Sequence, residues 1–186
     1  VRLPQVKEQT DSGQDALIVR IETDAGLYGI GEVDSSPMAV KGLIEGPYCH
    51  PLNSGLRELL IGEDPLQTEY LWNKMYYQNI YGGRRGIAIH AMSGIDIALW
   101  DILGKYSEQP VHHLLGGTKR DSIPVYQTTN TAGIDAALRR GVEHFKVVVA
   151  DGVDQGESGK GRTEKALIGT REMIGPDKSL MIECIT

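Results

Sequence analysis

Residues 84–117 read RRGIAIHAMSGIDIALWDILGKYSEQPVHHLLGG and contain a helix, its stop signal and a second short helix. Large apolar residues recur at three- and four-residue steps, which predicts one side of an α-helix. Alanines between them keep that helix narrow, so it can pack close to its neighbours. Pro110 cannot continue a helix, and the pattern therefore breaks near residues 107–109 and restarts at Val111.

The polar residues of this helix do not form a catalytic pair. Asp96 and Asp101 are five positions apart, so they are separated by about 140° around the helix axis. His90 has no nearby second ligand or acid partner in the sequence. We therefore interpret all three as solvated or hydrogen-bonded structural groups.

Charge and cysteine content exclude several classes of protein. The 186 residues include 19 Lys and Arg against 25 Asp and Glu, a formal charge of −6 without a basic cluster, which disfavours nucleic-acid binding. Cys49 and Cys184 fit no metal or redox spacing, so we expect a reduced, cytoplasmic setting. No apolar run suggests a membrane span, and the first residues show no signal-peptide pattern.

The first part of the chain has an α+β pattern. Residues 16–23 (ALIVRIET) and 27–33 (LYGIGEV) are predicted strands joined by the turn Asp24-Ala25-Gly26. Asp64 is the expected N-cap of a later helix, with Pro65 in its first turn. Helices are predicted at residues 38–44, 54–61 and 66–77.

The chain alternates strand and helix after Gly117. Strands are predicted at residues 123–128 (IPVYQT), 145–150 and 180–184, with helices at 134–143 and 163–174 between them. This order predicts right-handed crossovers and a parallel sheet. A closed βα barrel typically needs about 250 residues, so we expect only the start of one here.

Two glycine patterns resemble nucleotide sites, but both lack the required residues. Gly26, Gly29 and Gly31 read G-x-x-G-x-G inside a hairpin and favour close packing against another backbone. The loop at residues 151–163 has Asp154 and Gly161 where a phosphate loop needs Gly and Ser or Thr. We expect a flexible polar loop there instead of a nucleotide site.

Four blocks in order resemble the mandelate racemase and muconate lactonizing enzyme family of the enolase superfamily. They are GLYGIGE followed by VDSSP, IHAMSGIDIALWDILGKYSEQPVHHLLGG, IPVY, and REMIGPDKSLMIEC. The YGGRRG stretch at residues 81–86 looks most like family members that dehydrate sugar acids. Together these blocks cover nearly the whole chain.

The resemblance implies an α+β capping domain at residues 1–117, followed at 118–186 by the first units of a TIM-type βα barrel. It also implies Mg²⁺, which stabilises an enediolate formed when a base removes the proton α to a carboxylate. The expected activity is sugar-acid dehydration, with racemisation or cycloisomerisation as alternatives. A non-catalytic homologue with a structural or assembly role is a further alternative. We expect a small carboxylate substrate, a homo-oligomer, and no nucleic acid or membrane partner.

The barrel residues match the family only in part. Glu183 stands where the family has its first metal-binding carboxylate, usually Asp, and two further ligands are expected from later strands. The family often ends its second barrel strand with Lys-x-Lys, and our alignment places Val149 and Asp151 there. Lys146 is then a weak candidate base, with a structural or helix-facing role as its alternative. Otherwise the base lies outside this sequence or is absent.

The capping domain supplies candidate substrate contacts. In the family, the loop after GxGE closes over the substrate, and here Asp34, Ser35 and Ser36 occupy that loop. Capping of the following helix is an alternative role for the same residues. Tyr81, Arg84 and Arg85 are suited to a polyhydroxy acid because guanidinium groups bind carboxylates, although surface arginines are common.

Overall fold

The computed structural model describes residues 16–33, 36–117, 120–149 and 156–184. The chain divides into two compact units, Val1–Lys119 and Arg120–Thr186. Each unit contains a cluster of buried apolar side chains. The two units are therefore described separately.

The first unit begins with the predicted antiparallel hairpin. Strand β1 (Leu17–Glu22) pairs with β2 (Tyr28–Val33), with Leu17 opposite Val33 and Glu22 opposite Tyr28. Thr23 closes the turn, because its hydroxyl donates to the Leu27 carbonyl at 3.0 Å and accepts from the Leu27 N–H at 3.1 Å. The burial of alternate residues puts one face of β2 in the core.

Five helices follow the hairpin, and the longest is the centre of the unit. They are α1 (Pro37–Glu45), α2 (Leu56–Leu60), α3 (Thr68–Gln78), α4 (Ile87–Tyr106) and α5 (Val111–Leu114). Helix α4 packs against strands β1 and β2 and against helices α1 and α3. Its buried residues are Ala88, Ala91, Met92, Gly94, Ile95, Ala98, Leu99, Ile102 and Gly104. The predicted helix, its break and the short second helix are confirmed.

Helix α4 is also long and apolar enough to span a membrane by length and composition, with a mean hydropathy of 1.4. From the sequence alone, we did not identify this helix as a possible membrane span. Half of that segment is buried inside the protein. Burial against the hairpin and neighbouring helices is the environment of a core helix, since such helices are apolar on most sides.

The glycines of β2 allow the hairpin to approach α4 at backbone contact. A Cβ atom at Gly29 would overlap the carbonyl oxygen of Ala98, and one at Gly31 would overlap that of Gly94. Any side chain at these two positions would push the strand away from the helix. The prediction of close packing between backbones is confirmed.

Two helix boundaries in this unit differ from the predicted ones. Helix α2 is shorter than expected and begins at Leu56. Helix α3 begins at Thr68 with Gln67 as N-cap, not at residue 66. The Asp64 carboxylate instead accepts a hydrogen bond from the Leu66 N–H at 3.0 Å. Asp64 therefore stabilises the turn before the helix, which is a common alternative for this residue type.

The second unit contains a parallel sheet in the order β3-β4-β5. Its strands are β3 (Gln127–Thr128), β4 (His144–Val149) and β5 (Ser179–Cys184). Helix α6 (Ile134–Arg139) connects the first two strands, and α7 (Gly156–Ile174) lies between the second and third. The core between sheet and helices contains Phe145, Ile134, Ala137 and Ile174. The predicted alternation of strand and helix is confirmed.

Several boundaries in this unit also need correction. Only two residues of the predicted strand at 123–128 belong to β3. Pro124 cannot donate a ladder hydrogen bond, and the large apolar residues between 123 and 126 are exposed. Helix α6 ends four residues early, before Gly141 with φ +78°. Helix α7 begins at Gly156, so residues 156–162 are helical where we expected a loop.

Candidate functional site

The two faces of the parallel sheet have different environments. Phe145 and Val147 of β4 are buried on the face that packs against helices. Lys146 and Val148 alternate with them and therefore lie on the opposite face. Considering only the described residues of the second unit, we call this opposite surface the helix-free face. The predicted helix-facing role of Lys146 is wrong, because burial of its two neighbours determines which side of the strand it occupies.

The strand register brings Lys146 close to Glu183. Glu183 pairs with Val148, two residues after Lys146, so both ionisable residues are on the helix-free face. The Lys146 Nζ donates to Glu183 Oε2 at 2.7 Å. The lysine side chain is 20% exposed and that of the glutamate 45%. The structure therefore joins the candidate base and the candidate metal ligand in one ion pair.

Tyr126 is a third member of this cluster, which the sequence analysis did not identify. The Lys146 Nζ lies 5.2 Å from the centroid of the Tyr126 ring. The hydrogen bond to Glu183, that carboxylate's charge and interactions with Tyr126 raise the pKa of Lys146 above its ordinary value of 10.5. Lys146 is therefore an ammonium group in this arrangement. The IPVY motif was a signal for the region, but only the strand register shows which residue meets the lysine.

The donor chemistry of Glu183 fits one position in a magnesium site. A carboxylate oxygen is a ligand that Mg²⁺ prefers, and Glu183 already binds a cationic group in the Lys146 ammonium. The described ranges contain no cluster of three His, Cys, Asp or Glu residues suited to a metal. Glu183 would thus supply one donor to such a site, and a full ligand set would need others.

Tyr81, one of the residues predicted to bind substrate in the capping unit, lies in a loop that adjoins the loop of His50 and Leu52. Tyr81 is 67% exposed, and its ring stacks on His50 at 5.4 Å between centroids. The Tyr81 N–H donates to the Leu52 carbonyl at 3.1 Å, which joins the two loops. His50 was not predicted, and no spacing in the sequence pairs it with Tyr81. Together the two rings form a flat, exposed surface.

Arg84 is held on a neighbouring tyrosine. Its guanidinium carbon lies 4.8 Å from the centroid of the Tyr76 ring, while the residue itself is exposed. Arg85 is also exposed. The stacking fixes Arg84 and leaves its N–H groups available to an acceptor. This arrangement suits recognition of a carboxylate, as the sequence suggested.

Asn79 lies beneath this loop and is nearly completely buried, at 1% exposure. Its side-chain amide has no hydrogen-bond partner within the described part of the chain. A Cβ atom at Gly82 would overlap the amide, so this glycine leaves room for the asparagine. Gly82, the second residue of YGGRRG, is therefore a position where a larger residue would overlap Asn79.

The loop after β2 is described only at its end. Ser36 is exposed and occupies the N-cap position of α1, but its side chain makes no capping hydrogen bond. Pro37 begins the helix, one residue before the predicted start at Met38. Asp34 and Ser35 lie outside the described residues, and so does Asp151. Their predicted roles remain predictions.

The carboxylates of α4 have the structural environments expected for them. Asp101 Oδ2 accepts from the Ile30 N–H at 2.9 Å and from Lys105 Nζ at 2.8 Å. Partial burial of Asp101 acts to raise its pKa, but hydrogen bonds from Lys105 and Ile30, with the charge of Lys105, lower it overall. Partial burial raises the pKa of Asp96, although a hydrogen bond from Trp100 opposes the shift.

A groove of about 710 Å³ runs beside β1 in the first unit. Its walls include apolar residues such as Ile21 and Leu60 together with charged residues such as Arg57 and Glu63. None of the substrate or metal residues predicted from the sequence lines it. Size alone therefore does not identify the functional site.

The model of the mandelate racemase / muconate lactonizing enzyme N-terminal domain matches residues 3–116, which is more than half of the chain. This chain belongs to that family. The predicted fold class, an α+β capping domain followed by the start of a βα barrel, is confirmed. The resemblance inferred from the four sequence blocks is confirmed as well.

Relatives and solved structures agree with this assignment. An L-rhamnonate dehydratase of Saccharopolyspora erythraea is 31% identical over 90% of this chain and 40% of its own length. The structure of 3,6-anhydro-D-galactonate cycloisomerase from Zobellia galactanivorans matches with a TM-score of 0.71 and 33% identity over 89% of this chain and 44% of its own. A Streptomyces coelicolor A3(2) racemase with bound magnesium matches with a TM-score of 0.69, 27% identity, and coverage of 90% and 46%.

These comparisons place the chain in a family of enzymes that includes dehydratases, cycloisomerases and racemases. The chain spans about two fifths of the length of the dehydratase and less than half of each of these two solved chains. Any activity that depends on residues in the remaining part of these relatives is therefore a proposal for this chain.

Proposed function

We propose that the protein containing this chain removes the proton α to the carboxylate of a sugar acid and dehydrates it, with Mg²⁺ bound. The observation that carries this proposal is the Lys146–Glu183 pair at 2.7 Å on the helix-free face. The pair brings a proposed proton-transfer group next to a proposed oxygen ligand of the metal. Removal of a proton next to a metal-bound substrate carboxylate requires both groups.

The arrangement of β4 supports Lys146 as the proton-transfer group. The helix-free positions of this strand are His144, Lys146 and Val148, so Lys146 is the lysine that β4 presents on that face. Lys146 can bind a substrate carboxylate as an ammonium group. It can accept a proton only as a free amine, which requires release from Glu183. Bound Mg²⁺ would stabilise negative charge developing on the substrate carboxylate.

Residues of the capping unit are proposed, from the family resemblance, as substrate contacts. Arg84 would bind a carboxylate, and Tyr81 on its His50 partner would cover the hydroxylated carbon chain. Asp34, Ser35 and Ser36 remain candidates for substrate contact on the family resemblance alone. We also propose a cytoplasmic location, as the sequence suggested.

The direct test is a substrate screen with protein made from the complete coding sequence. L-Rhamnonate and related sugar acids would be incubated with Mg²⁺ or with a chelator, and 2-keto-3-deoxy acids measured as semicarbazones. We expect carbonyl product from at least one acid with Mg²⁺ and none with the chelator. Turnover that survives complete removal of divalent metal would refute the proposed mechanism.

Racemisation is the second candidate, because the family includes racemases with bound magnesium such as the Streptomyces coelicolor structure. A racemase would exchange the α-proton in D₂O and form an epimer without carbonyl product. A dehydratase would form the keto acid. The same reaction mixtures, examined by proton NMR, separate the two activities.

The cap assignment has its own test. Replacement of Arg84 by Ala should raise KM for the substrate about tenfold or more, because a charge-assisted hydrogen bond would be lost. Arg139→Ala provides a matched control, since Arg139 is an exposed arginine at the end of α6. Equal kinetic constants for the Arg84 and Arg139 variants would remove Arg84 from the site.

A further inference from the structure

Tyr126 occupies an unusual place in the second unit. It immediately precedes β3, and the parity of Thr128, which pairs with Lys146, puts Tyr126 on the helix-free face. The residue is 50% exposed, whereas the apolar core of this unit lies on the other face of the sheet. Packing into a core therefore does not account for its position.

The lysine between Tyr126 and Glu183 has partners on both neighbouring strands. The order β3-β4-β5 puts Lys146 on the central strand. Its Nζ is 2.7 Å from the carboxylate on one side and 5.2 Å from the ring centroid on the other. The second distance is within the range of a cation–π contact. Both contacts hold the ammonium above the helix-free face.

These two contacts differ in how permanent they are. Glu183 is more exposed than Lys146. If Glu183 is the metal ligand proposed above, it must at times leave the lysine. The flexible four-carbon stem of lysine would then permit many positions of the ammonium group. Within the described part of the chain, Tyr126 is then the side chain that still contacts the ammonium group.

We propose that Tyr126 is a positioning residue, whose ring keeps Lys146 on the helix-free face when Glu183 binds another cation. This inference rests on the proposed function, because it gives Lys146 a role in proton transfer. It adds a residue of the first barrel strand region to the site. We assign the positioning to the aromatic face, and Tyr126→Phe separates it from the side-chain hydrogen bond between Tyr126 and Lys146.

The test compares three variants of the protein made from the complete coding sequence. Tyr126→Phe keeps the ring, Tyr126→Leu removes it, and Val125→Ala is the control at an adjacent, 79% exposed position. The first readout is the NMR signal of the Lys146 ε-methylene in ¹³C-lysine protein, with and without Mg²⁺. Lys146→Met identifies that signal by its loss. The second readout is kcat and KM for the substrate.

We expect a ring-current shift of the Lys146 signal in the wild type, Tyr126→Phe and Val125→Ala, with or without Mg²⁺. Tyr126→Leu should lose this shift and lower kcat two- to fivefold at unchanged KM, as the modest strength of an exposed cation–π contact implies. An unchanged lysine signal in Tyr126→Leu would overturn the proposal. So would full turnover by that variant, or an equal loss in Tyr126→Phe.

A failure of the proposed function gives a different result. Lys146→Met would then retain full turnover, whatever the tyrosine variants do to the lysine signal. If Lys146→Met is inactive while Tyr126→Leu is fully active, only the positioning role of Tyr126 is overturned. The two conclusions are therefore separable in one set of proteins.

Discussion

At the scale of single residues, the capping unit depends on positions where no side chain fits. Gly29 and Gly31 let β2 touch the backbone of α4, and the sequence alone indicated this from glycines inside a strand. It could not identify the contacted atoms, Ala98 O and Gly94 O, because these depend on how the helix crosses the hairpin.

Substitution of Gly29 by Ala tests this contact. The added methyl group would overlap a backbone carbonyl that cannot rotate away, so we expect a loss of about 2–3 kcal/mol in the free energy of unfolding. Gly42→Ala is the matched control, because Gly42 lies inside α1 with open space around its Cβ position. The control should be neutral or stabilising by up to about 1 kcal/mol. Equal denaturant midpoints for the two variants would disprove the close approach.

Asp101 provides a test through pH. Its pKa in the folded protein lies below the ordinary 3.8, so its ionised form stabilises the fold above pH 3.8 and this contribution disappears as pH falls below the folded pKa. Asp101→Asn should therefore lower the free energy of unfolding by about 1 kcal/mol at pH 7 and have a smaller effect at pH 3. Asp24→Asn, in the exposed hairpin turn, serves as control. A penalty independent of pH would contradict the assignment.

Asp96 should behave in the opposite way. Burial raises its pKa, so the charged form opposes folding above the folded pKa, and the penalty is absent below pH 3.8. Asp96→Asn should consequently raise the melting temperature at pH 7 and leave it nearly unchanged at pH 3. Thermal unfolding at both pH values decides the point, and destabilisation at pH 7 would show that the charge is needed.

At the scale of elements, the largest departure from the sequence prediction is the start of α7. The segment at residues 156–162 is rich in glycine and charge, so local propensity favours a loop, but the structure continues the helix back to Gly156. Tertiary context overrides a weak local preference here, and a single sequence does not contain that context.

Proline substitutions distinguish the two descriptions of this segment. Glu157→Pro is in the first turn of α7, where proline is tolerated, whereas Gly161→Pro is in the helix interior. We expect about 3 kcal/mol of destabilisation and reduced helical circular dichroism from Gly161→Pro, with little change from Glu157→Pro. If both variants match the wild type, residues 156–162 are a loop.

Strong periodicity explains which elements were predictable. The hairpin, α4 and the βα alternation follow from apolar spacing and turn residues, and all are confirmed. The candidate site was less predictable, because its residues come from separate strands and meet only through the register of the parallel sheet. We predicted the wrong side of β4 for Lys146, because we took Val149 as the family's first lysine position. The burial of Phe145 and Val147 shows which side Lys146 occupies.

At the scale of the whole molecule, the chain combines two units with separate cores. Within the described residues, β3 and β5 are the outer strands of a three-stranded parallel sheet, and Ile123, Val125 and Ile182 are exposed near them. Parallel sheets are normally covered on both faces. The homo-oligomer expected from the sequence stays a prediction, which light scattering of the protein from the complete coding sequence can test.

The central claim is that Lys146 and Glu183 act together in metal-dependent proton abstraction. The most direct measurement is the dehydration rate of the best sugar acid by Lys146→Met and Glu183→Gln, beside the exposed α7 controls Lys165→Met and Glu172→Gln. We expect a loss of at least about 100-fold in kcat for both site variants, since positioned acid–base groups contribute on this scale, and near wild-type rates for the controls. Wild-type turnover by either Lys146→Met or Glu183→Gln would contradict the claim.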